Sequence, residues 1–257
     1  MRLTWVSMLC GAIATAPLAA AGAECRATSS PQTVAVVELY TSEGCDSCPP
    51  ADRWLSAIEA APQSVIPLAF HVDYWDRLGW KDRFADAGGT ERQYEQKRRH
   101  GGEYVYTPQV LLQGRDFRLW GVRGEPAASV APINSRPAHA AIDLAAERVG
   151  DAALVNVSVD VRDPRERART HVAVALVQDG LSSEVTAGEN RGRRLVHDHV
   201  VRQWHAVRAD DATGPIRAQH AFALPGEKGP MSIVAIVEDA QTGDVLQAVA
   251  LPLCIAK

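Results

Sequence analysis

Val34-Ala-Val-Val-Glu-Leu-Tyr-Thr-Ser-Glu-Gly-Cys45-Asp-Ser-Cys48-Pro-Pro-Ala-Asp-Arg-Trp54-Leu55 is the stretch on which the fold turns. Val34, Val36, Val37 and Leu39 make an apolar, β-branched run too short for a helix, so it reads as a buried strand. Gly44 loosens the turn that follows. Pro49 and Pro50 suit a first helical turn, where amide hydrogens lack intrahelical partners anyway. Trp54, Leu55 and Ile58 then recur at helical spacing. Cys45 is thereby expected near a helix N-terminus, where free amides and the helix dipole favour a thiolate. Cys48 follows within disulfide reach. A Cys-x-x-Cys between strand and helix predicts a redox site of thioredoxin type, with a structural disulfide or half a zinc site as the alternatives.

Outward from that stretch, Val65 to Trp75 opens as a second strand, and Asp76 to Phe84 reads as a loop near the site. Thr90 to His100 is expected as a helix ended by Gly101-Gly102. Val105 to Leu112 is a strand entered through Thr107-Pro108, Gln113-Gly114-Arg115 a turn, and Phe117 to Gly121 the returning strand. Glu125 to Ile133 closes the unit as a short helix. This order predicts an α/β thioredoxin-like domain over residues 24–133, with Pro108 a candidate for the cis proline that lies against the disulfide in such folds. The texture changes near Asn134. Alternating runs at 140–144, 153–161, 171–177, 195–201, 218–224, 232–237 and 245–251 predict an all-β antiparallel sandwich domain over residues 134–257.

The chain has 257 residues, 46% of them hydrophobic and 23% charged, with a net charge of −4. No basic run points to nucleic acid or an anionic membrane. Arg2, the apolar stretch Leu3 to Ala20 and the small residues Ala21-Gly-Ala23 read as a signal peptide over residues 1–23. Cleavage near Ala23 would release a periplasmic or extracellular protein with no membrane anchor. Cys10 leaves with that segment. Cys45 and Cys48 pair with each other, which leaves Cys25 and Cys254 to form a structural disulfide in an oxidising compartment. The other possibility is that Cys25 resolves the active pair.

Several blocks together resemble a known family. They are Val37-Glu-Leu-Tyr-Thr-Ser-Glu-Gly-Cys45-Asp-Ser-Cys48-Pro-Pro-Ala-Asp52, Leu68 to Asp82, Val105-Tyr-Thr-Pro-Gln109, and Gly188-Glu-Asn-Arg-Gly-Arg193 followed by Val200-Val-Arg202. In this order they resemble the secreted thioredoxin-like family known as domain of unknown function 1223. The resemblance implies the thioredoxin-like fold and a redox site at Cys45 and Cys48, and it names no substrate.

The chemistry expected of these residues is thiol–disulfide exchange with protein or small-thiol disulfides, needing no cofactor beyond the disulfide itself. Cys45 is the nucleophile and Cys48 the resolving thiol. Asp46 places a carboxylate beside the nucleophile, which raises its pKa and predicts a mild oxidant. Glu38 is read either as a buried proton acceptor for Cys48 or as a carboxylate on the strand's solvent face. His71 and Asp73 end the second strand beside the first, and Trp75 and Trp80 shape a surface over the disulfide. Cys45, Cys48 and His71 also compose an alternative copper or zinc site, since thiolate and imidazole suit both metals. His197, His199 and His205 are expected on a solvated strand face. A non-catalytic binding module with a structural disulfide is the third reading.

Overall fold

A computed structural model describes residues 24–58, 64–123, 125–208 and 214–254; the expected signal segment lies outside them. The chain is mostly β, with mixed and antiparallel sheets and few helices. It opens with β1 (Glu24–Thr28), β2 (Ala35–Thr41), α1 (Pro49–Ser56) and β3 (Val65–His71). A short 3-10 helix, Asp73–Leu78, leads to α2 (Ala87–Arg99), β4 (Gln109–Leu112), β5 (Arg115–Asp116) and α3 (Glu125–Asn134). β6 (Ala140–Val149), β7 (Ala152–Val161), the single turn α4 (Pro164–Arg167), β8 (Thr170–Gln178) and β9 (Leu181–Glu184) follow. The chain ends in β10 (Arg194–His197), β11 (Val200–Arg208), β12 (Ile216–Ala223), β13 (Met231–Asp239) and β14 (Val245–Pro252). No helix among the described residues is long and apolar enough to cross a membrane.

Local chemistry accounts for most of these boundaries. α1 starts at Pro49 and Pro50, which need no amide partner there. α2 begins three residues before Thr90, where the sequence predicts its start, because the Asp86 carboxylate caps it by accepting from the Gly89 amide at 2.9 Å. β4 and β5 meet across a two-residue turn whose members, Gln113 and Gly114, both have positive φ, as a twisted hairpin requires. The returning strand is consequently Arg115–Asp116, and residues 117–121, expected to be strand, lie beyond it. The single strand expected over 195–201 is divided into β10 and β11 by a turn at Asp198 and His199, the latter at φ 59°.

One eight-stranded sheet runs β14-β13-β8-β11-β3-β2-β4-β5, and a four-stranded sheet runs β1-β6-β7-β12. β2 and β3 are parallel, with Leu39 opposite Ala69, while β4 is antiparallel to β2, with Gln109 opposite Tyr40. The two sheets pack through Ile142, Leu144, Val157, Leu176, Phe222 and Ile233. Within the large sheet, Tyr40, Leu68 and Phe70 meet Val234 and Ile236 in a second core. α1 packs on the opposite face of β2, where Val37 and Leu39 meet Ala51 and Leu55.

A separate sandwich beginning at residue 134 is not what the strand pairing gives. β11 joins β3 in parallel at Val200 and Ala69, and the Ala69 amide donates to the His199 carbonyl at 2.8 Å. β1, from the other side of the expected boundary, pairs with β6 along its whole length. The alternating runs reveal strands correctly, but alternation carries no information about which strand becomes the neighbour.

Candidate functional site

Cys48 is the N-cap of α1, and Cys45 precedes it in a tight loop closed by the Cys45 amide on the Ser42 carbonyl (3.1 Å) and the Cys48 amide on the Cys45 carbonyl (3.3 Å). The two sulfurs form a disulfide, with Cα atoms 5.5 Å apart. Both cysteines are 0% exposed. Cys25 and Cys254 form a second disulfide, 229 residues apart in sequence, that ties β1 to the end of β14.

The peptide bond Thr107-Pro108 is cis. Because Tyr40 pairs with Gln109, Pro108 stands at the C-terminal end of β2, where the cysteine loop begins. Trp75 bridges the two, donating Nε1–H to Thr107 Oγ1 at 2.7 Å while its Cβ packs near Gly44. Trp80 donates to Glu43 Oε2 at 2.8 Å. Both tryptophans are half-buried and brace the loop, Trp75 from the 3-10 helix and Trp80 from just beyond it.

Beneath the disulfide lies a group of buried ionisable side chains. Thr41 and His71 end adjacent parallel strands and pair in register. Asp52, one helical turn after Cys48, accepts from Thr41 Oγ1 at 2.7 Å. His71 Nδ1 is 2.7 Å from Asp82 Oδ2, which also accepts the Glu43 amide at 2.9 Å. The Glu43 carboxylate in turn lies 3.2 Å from His197 Nε2. The His71 and His197 rings cross edge to face at 4.8 Å, with Phe84 against both. His71 Nε2 is buried without a hydrogen-bond partner.

Burial and charge compete at each of these groups. Burial alone would raise the Asp82 pKa, but the charge and hydrogen bond of His71 and the amides of Glu43 and Phe84 hold it down to about 2. Burial alone would lower His71, yet the charge and hydrogen bond of Asp82, aided by Asp52 and Glu43, raise it. Glu43 is lowered, its burial outweighed by hydrogen bonds from His197, Ser183 and Trp80. For Asp52 burial prevails over His197, His71 and Thr41, and its carboxyl is raised. These opposed shifts gather perturbed acids and an imidazole in one buried group, with Asp52 on the helix that Cys48 caps.

The remaining expected residues lie elsewhere or act differently. Glu38 is 0% exposed, so it is not on a solvent face, and it does not serve Cys48 either. It lies on the face of β2 opposite α1, where it accepts from Tyr40 Oη at 2.7 Å and from Arg92 Nη2 at 2.7 Å. Asp73 accepts from Thr90 Oγ1 at 2.6 Å and braces the first turn of α2. His197 is buried in the site, not solvated; His199 is in a turn beside Asp179, and His205 stacks on His220 from β11. Among the described residues no group of three or more His, Cys, Asp or Glu side chains is placed to hold a metal ion.

Residue reading missed Glu43, Asp52, Asp82, Asn190 and the role of His197. The first four fall inside the blocks that carry the family resemblance, which was the one available signal for them. Asn190 comes from the turn between β9 and β10, and its Nδ2 donates to the carbonyls of Glu43 and Cys45 at 2.9 and 2.8 Å.

These features define a β-rich protein with a buried Cys-x-x-Cys disulfide at a helix start, set over paired acids and histidines. The chain belongs to the family described as Protein of unknown function (DUF1223), whose model matches residues 36–238. It is similar to the crystal structure of protein AGR_C_4864 from Agrobacterium tumefaciens, at 27% identity and a TM-score of 0.57, over 86% of this chain and 96% of that one. HBP35 of Porphyromonas gingivalis shares the fold at 15% identity and a TM-score of 0.62, over 86% of this chain and 75% of that one. No curated protein matches the chain.

Proposed function

We propose that the protein is an extracytoplasmic thiol–disulfide oxidoreductase whose reactive group is the Cys45–Cys48 disulfide. The observation that carries this reading is the position of that disulfide: at the N-cap of α1, at the end of β2, with cis Pro108 on the neighbouring strand. The strand order β3-β2-β4-β5, with helices after β2, β3 and β5, supports a thioredoxin-like first half. Two disulfides fit an exported protein, because such bonds persist outside the cytosol. Protein or small-thiol partners supply and accept the electrons, and no other cofactor is required.

In the oxidising direction a client thiolate attacks Cys45 Sγ, the Cys45–Cys48 bond breaks, and Cys48 leaves as a thiolate. Asp52, buried one turn along the same helix, supports proton uptake at Cys48. Asp46 and Glu189 hold two carboxylates near the Cys45 loop, which disfavours a thiolate there and supports a mild oxidant.

The full burial of both sulfurs favours a second reading, a binding module in which this disulfide is structural. Equilibration of the folded protein with glutathione, followed by thiol labelling and mass spectrometry, separates the two. The expected result is a reversible two-electron transition of Cys45 and Cys48 with Cys25–Cys254 intact. Absence of any transition while the protein stays folded would establish the structural role instead.

A further inference from the structure

Both sulfurs of the Cys45–Cys48 bond are 0% exposed, so a thiol cannot reach them until some part of the fold moves. Over their loop lies the hairpin β9–β10. Among the described residues its two strands pair only with each other, whereas every other strand joins one of the two larger sheets. The hairpin leaves β8 at Gly180 (φ 70°) and enters β11 through His199 (φ 59°). Its two legs are clipped together at the base, where the Gly180 amide donates to Asp198 Oδ1 at 2.8 Å and the His199 amide to Asp179 Oδ1 at 2.7 Å. Leu181, Ser183, Val185, Leu195 and His197 form its buried face, and Glu184 and Val196 turn to solvent. Leu181 meets only Phe84 and Val200, in a small apolar cluster apart from the larger cores. β10 lies against α1.

The ribbon is fastened chiefly through one residue beside the disulfide. Glu43 is 0% exposed, and each of its polar atoms is held. Its amide donates to Asp82 Oδ2 at 2.9 Å, and its Oε2 accepts from Trp80 at 2.8 Å. Its carbonyl accepts from Asn190 at 2.9 Å, and its Oε1 lies 3.2 Å from His197 Nε2; both of these partners belong to the hairpin. A second fastening comes from outside, where the exposed Arg83 donates to the Ser182 carbonyl at 2.8 Å and to Ser183 Oγ at 3.0 Å.

Resting on the exchange reading above, we propose that β9–β10 is a lid over the disulfide and that Glu43 is the positioning residue that holds it shut. An element with its own hinge residues and little share in the main cores opens at lower cost than the sheets around it. Lifting it gives the Glu43 carboxylate to water, which replaces the lost hydrogen bonds, and bares Cys45 to the attacking thiolate. A two-stranded ribbon is marginal by itself, so its amides exchange with solvent once it is lifted.

The test compares wild type, Glu43→Gln and Arg83→Met as intact oxidised proteins. Opening of Cys45–Cys48 by dithiothreitol in native buffer is timed by alkylation and mass spectrometry. Hydrogen exchange is read for the amides of β9 and β10, with β8 and β13 as the reference. In wild type the hairpin amides are expected to exchange ahead of the reference strands. Glu43→Gln weakens a charge-assisted contact and is expected to speed both disulfide opening and hairpin exchange about tenfold, with β8 and β13 unchanged. Arg83→Met, altered at the surface where folding is unaffected, gives a smaller gain in the same two readouts. Hairpin amides that exchange only together with β8 and β13 overturn the lid, as does faster disulfide opening without faster hairpin exchange; exchange chemistry survives both. Glu43→Gln that speeds all amides alike makes Glu43 a stability residue and overturns its role as the fastening. A disulfide that stays closed to dithiothreitol in every folded protein, while the hairpin exchanges early, removes the exchange reading and leaves the hairpin nothing to gate.

Discussion

Asp82 receives an imidazole and two backbone amides in an interior where an unpaired carboxylate would be costly. Its carboxyl, held at about 2, is worth stability above its ordinary unfolded value of ~3.9, and that contribution is lost as pH falls through the folded one. His71 works from the other side. Its pKa is raised on folding, so its contribution is complete below the unfolded value of ~6.5 and disappears as pH rises through the folded one. Asp52, also raised, gives up stability with rising pH in the same sense. Among the described residues both cysteine pairs are closed, so no thiol there titrates in this range. Urea denaturation at constant ionic strength is therefore expected to lose stability below about pH 4, and above about pH 6.5 to show a His71 decline that His100 and His220, lowered by burial and so of opposite sign, partly offset. His71→Gln is expected to flatten that alkaline decline; an unchanged slope between wild type and variant would show that His71 is neutral throughout. At this scale the sequence disclosed the sulfurs and His71, because cysteine spacing and a strand-ending histidine are local features. It left the face of Glu38 open and did not disclose Asp52. Every residue of β2 is buried, so alternation could not say which face Glu38 takes. Asp52 shares a helical stripe with Cys48 and Leu55, but a carboxylate there reads as solvent-facing until its partners are known.

α2 is the element whose buried face is least like a core. Gly89, Arg92, Gln93 and Gln96 point inward, and no apolar stripe marks the helix in the sequence. Arg92 explains why such a helix can be buried. Its guanidinium donates to Glu38 of β2 at 2.7 and 2.8 Å, to Glu238 of β13 at 2.6 Å, and lies 4.2 Å over the Trp204 ring. All three charged groups are at most 2% exposed. Removing the cation leaves two carboxylates buried together, so Arg92→Ala is expected to cost about 3–5 kcal/mol in urea denaturation. Arg92→Lys recovers only part of the loss, since an ammonium lacks the fork that serves both carboxylates. A loss below about 1 kcal/mol in Arg92→Ala would mean that water reaches the pair and that α2 is not pinned here. The helix was legible in the sequence through its glycine stop and strong helix formers alone. Its partner was not, because Glu238 follows Arg92 by 146 residues.

Glu238 is also one of several links that make the two halves of the sequence a single sheet. The change of texture at Asn134 identified correctly where helices give way to alternating strands, but it was silent on pairing. β3 would have an open edge beside the disulfide if β11 did not occupy it, and that contact joins residues 131 apart. Gln247 of β14 accepts the Val34 amide at 2.9 Å and donates to the carbonyls of Ser30 and Gln32 at 2.7 and 2.9 Å. It thereby fixes the approach to β2 from the far end of the chain. Among the described residues β1 pairs with no strand other than β6, and Asn190, which holds the disulfide loop, comes from beyond β9. A fragment of residues 24–133 would keep the Cys-x-x-Cys motif yet lose the neighbours of β1 and β3, the second carboxylate of Arg92, and half of the core around Tyr40 and Phe70. Length is not the obstacle, since about 100 residues is an ordinary domain size; the lost partners are, because they remove apolar burial that must offset chain entropy. Expressed alone in an oxidising compartment, this fragment is expected to show no cooperative thermal transition and no protected amides in β2 or β3 by hydrogen exchange. A sharp transition with protected amides would restore a self-sufficient first domain. In that case the exchange reading could be tested on the fragment without Asn190. If the fragment fails to fold, the eight-stranded sheet is the unit that positions the disulfide, and the C-terminal strands belong to the site as much as the motif does.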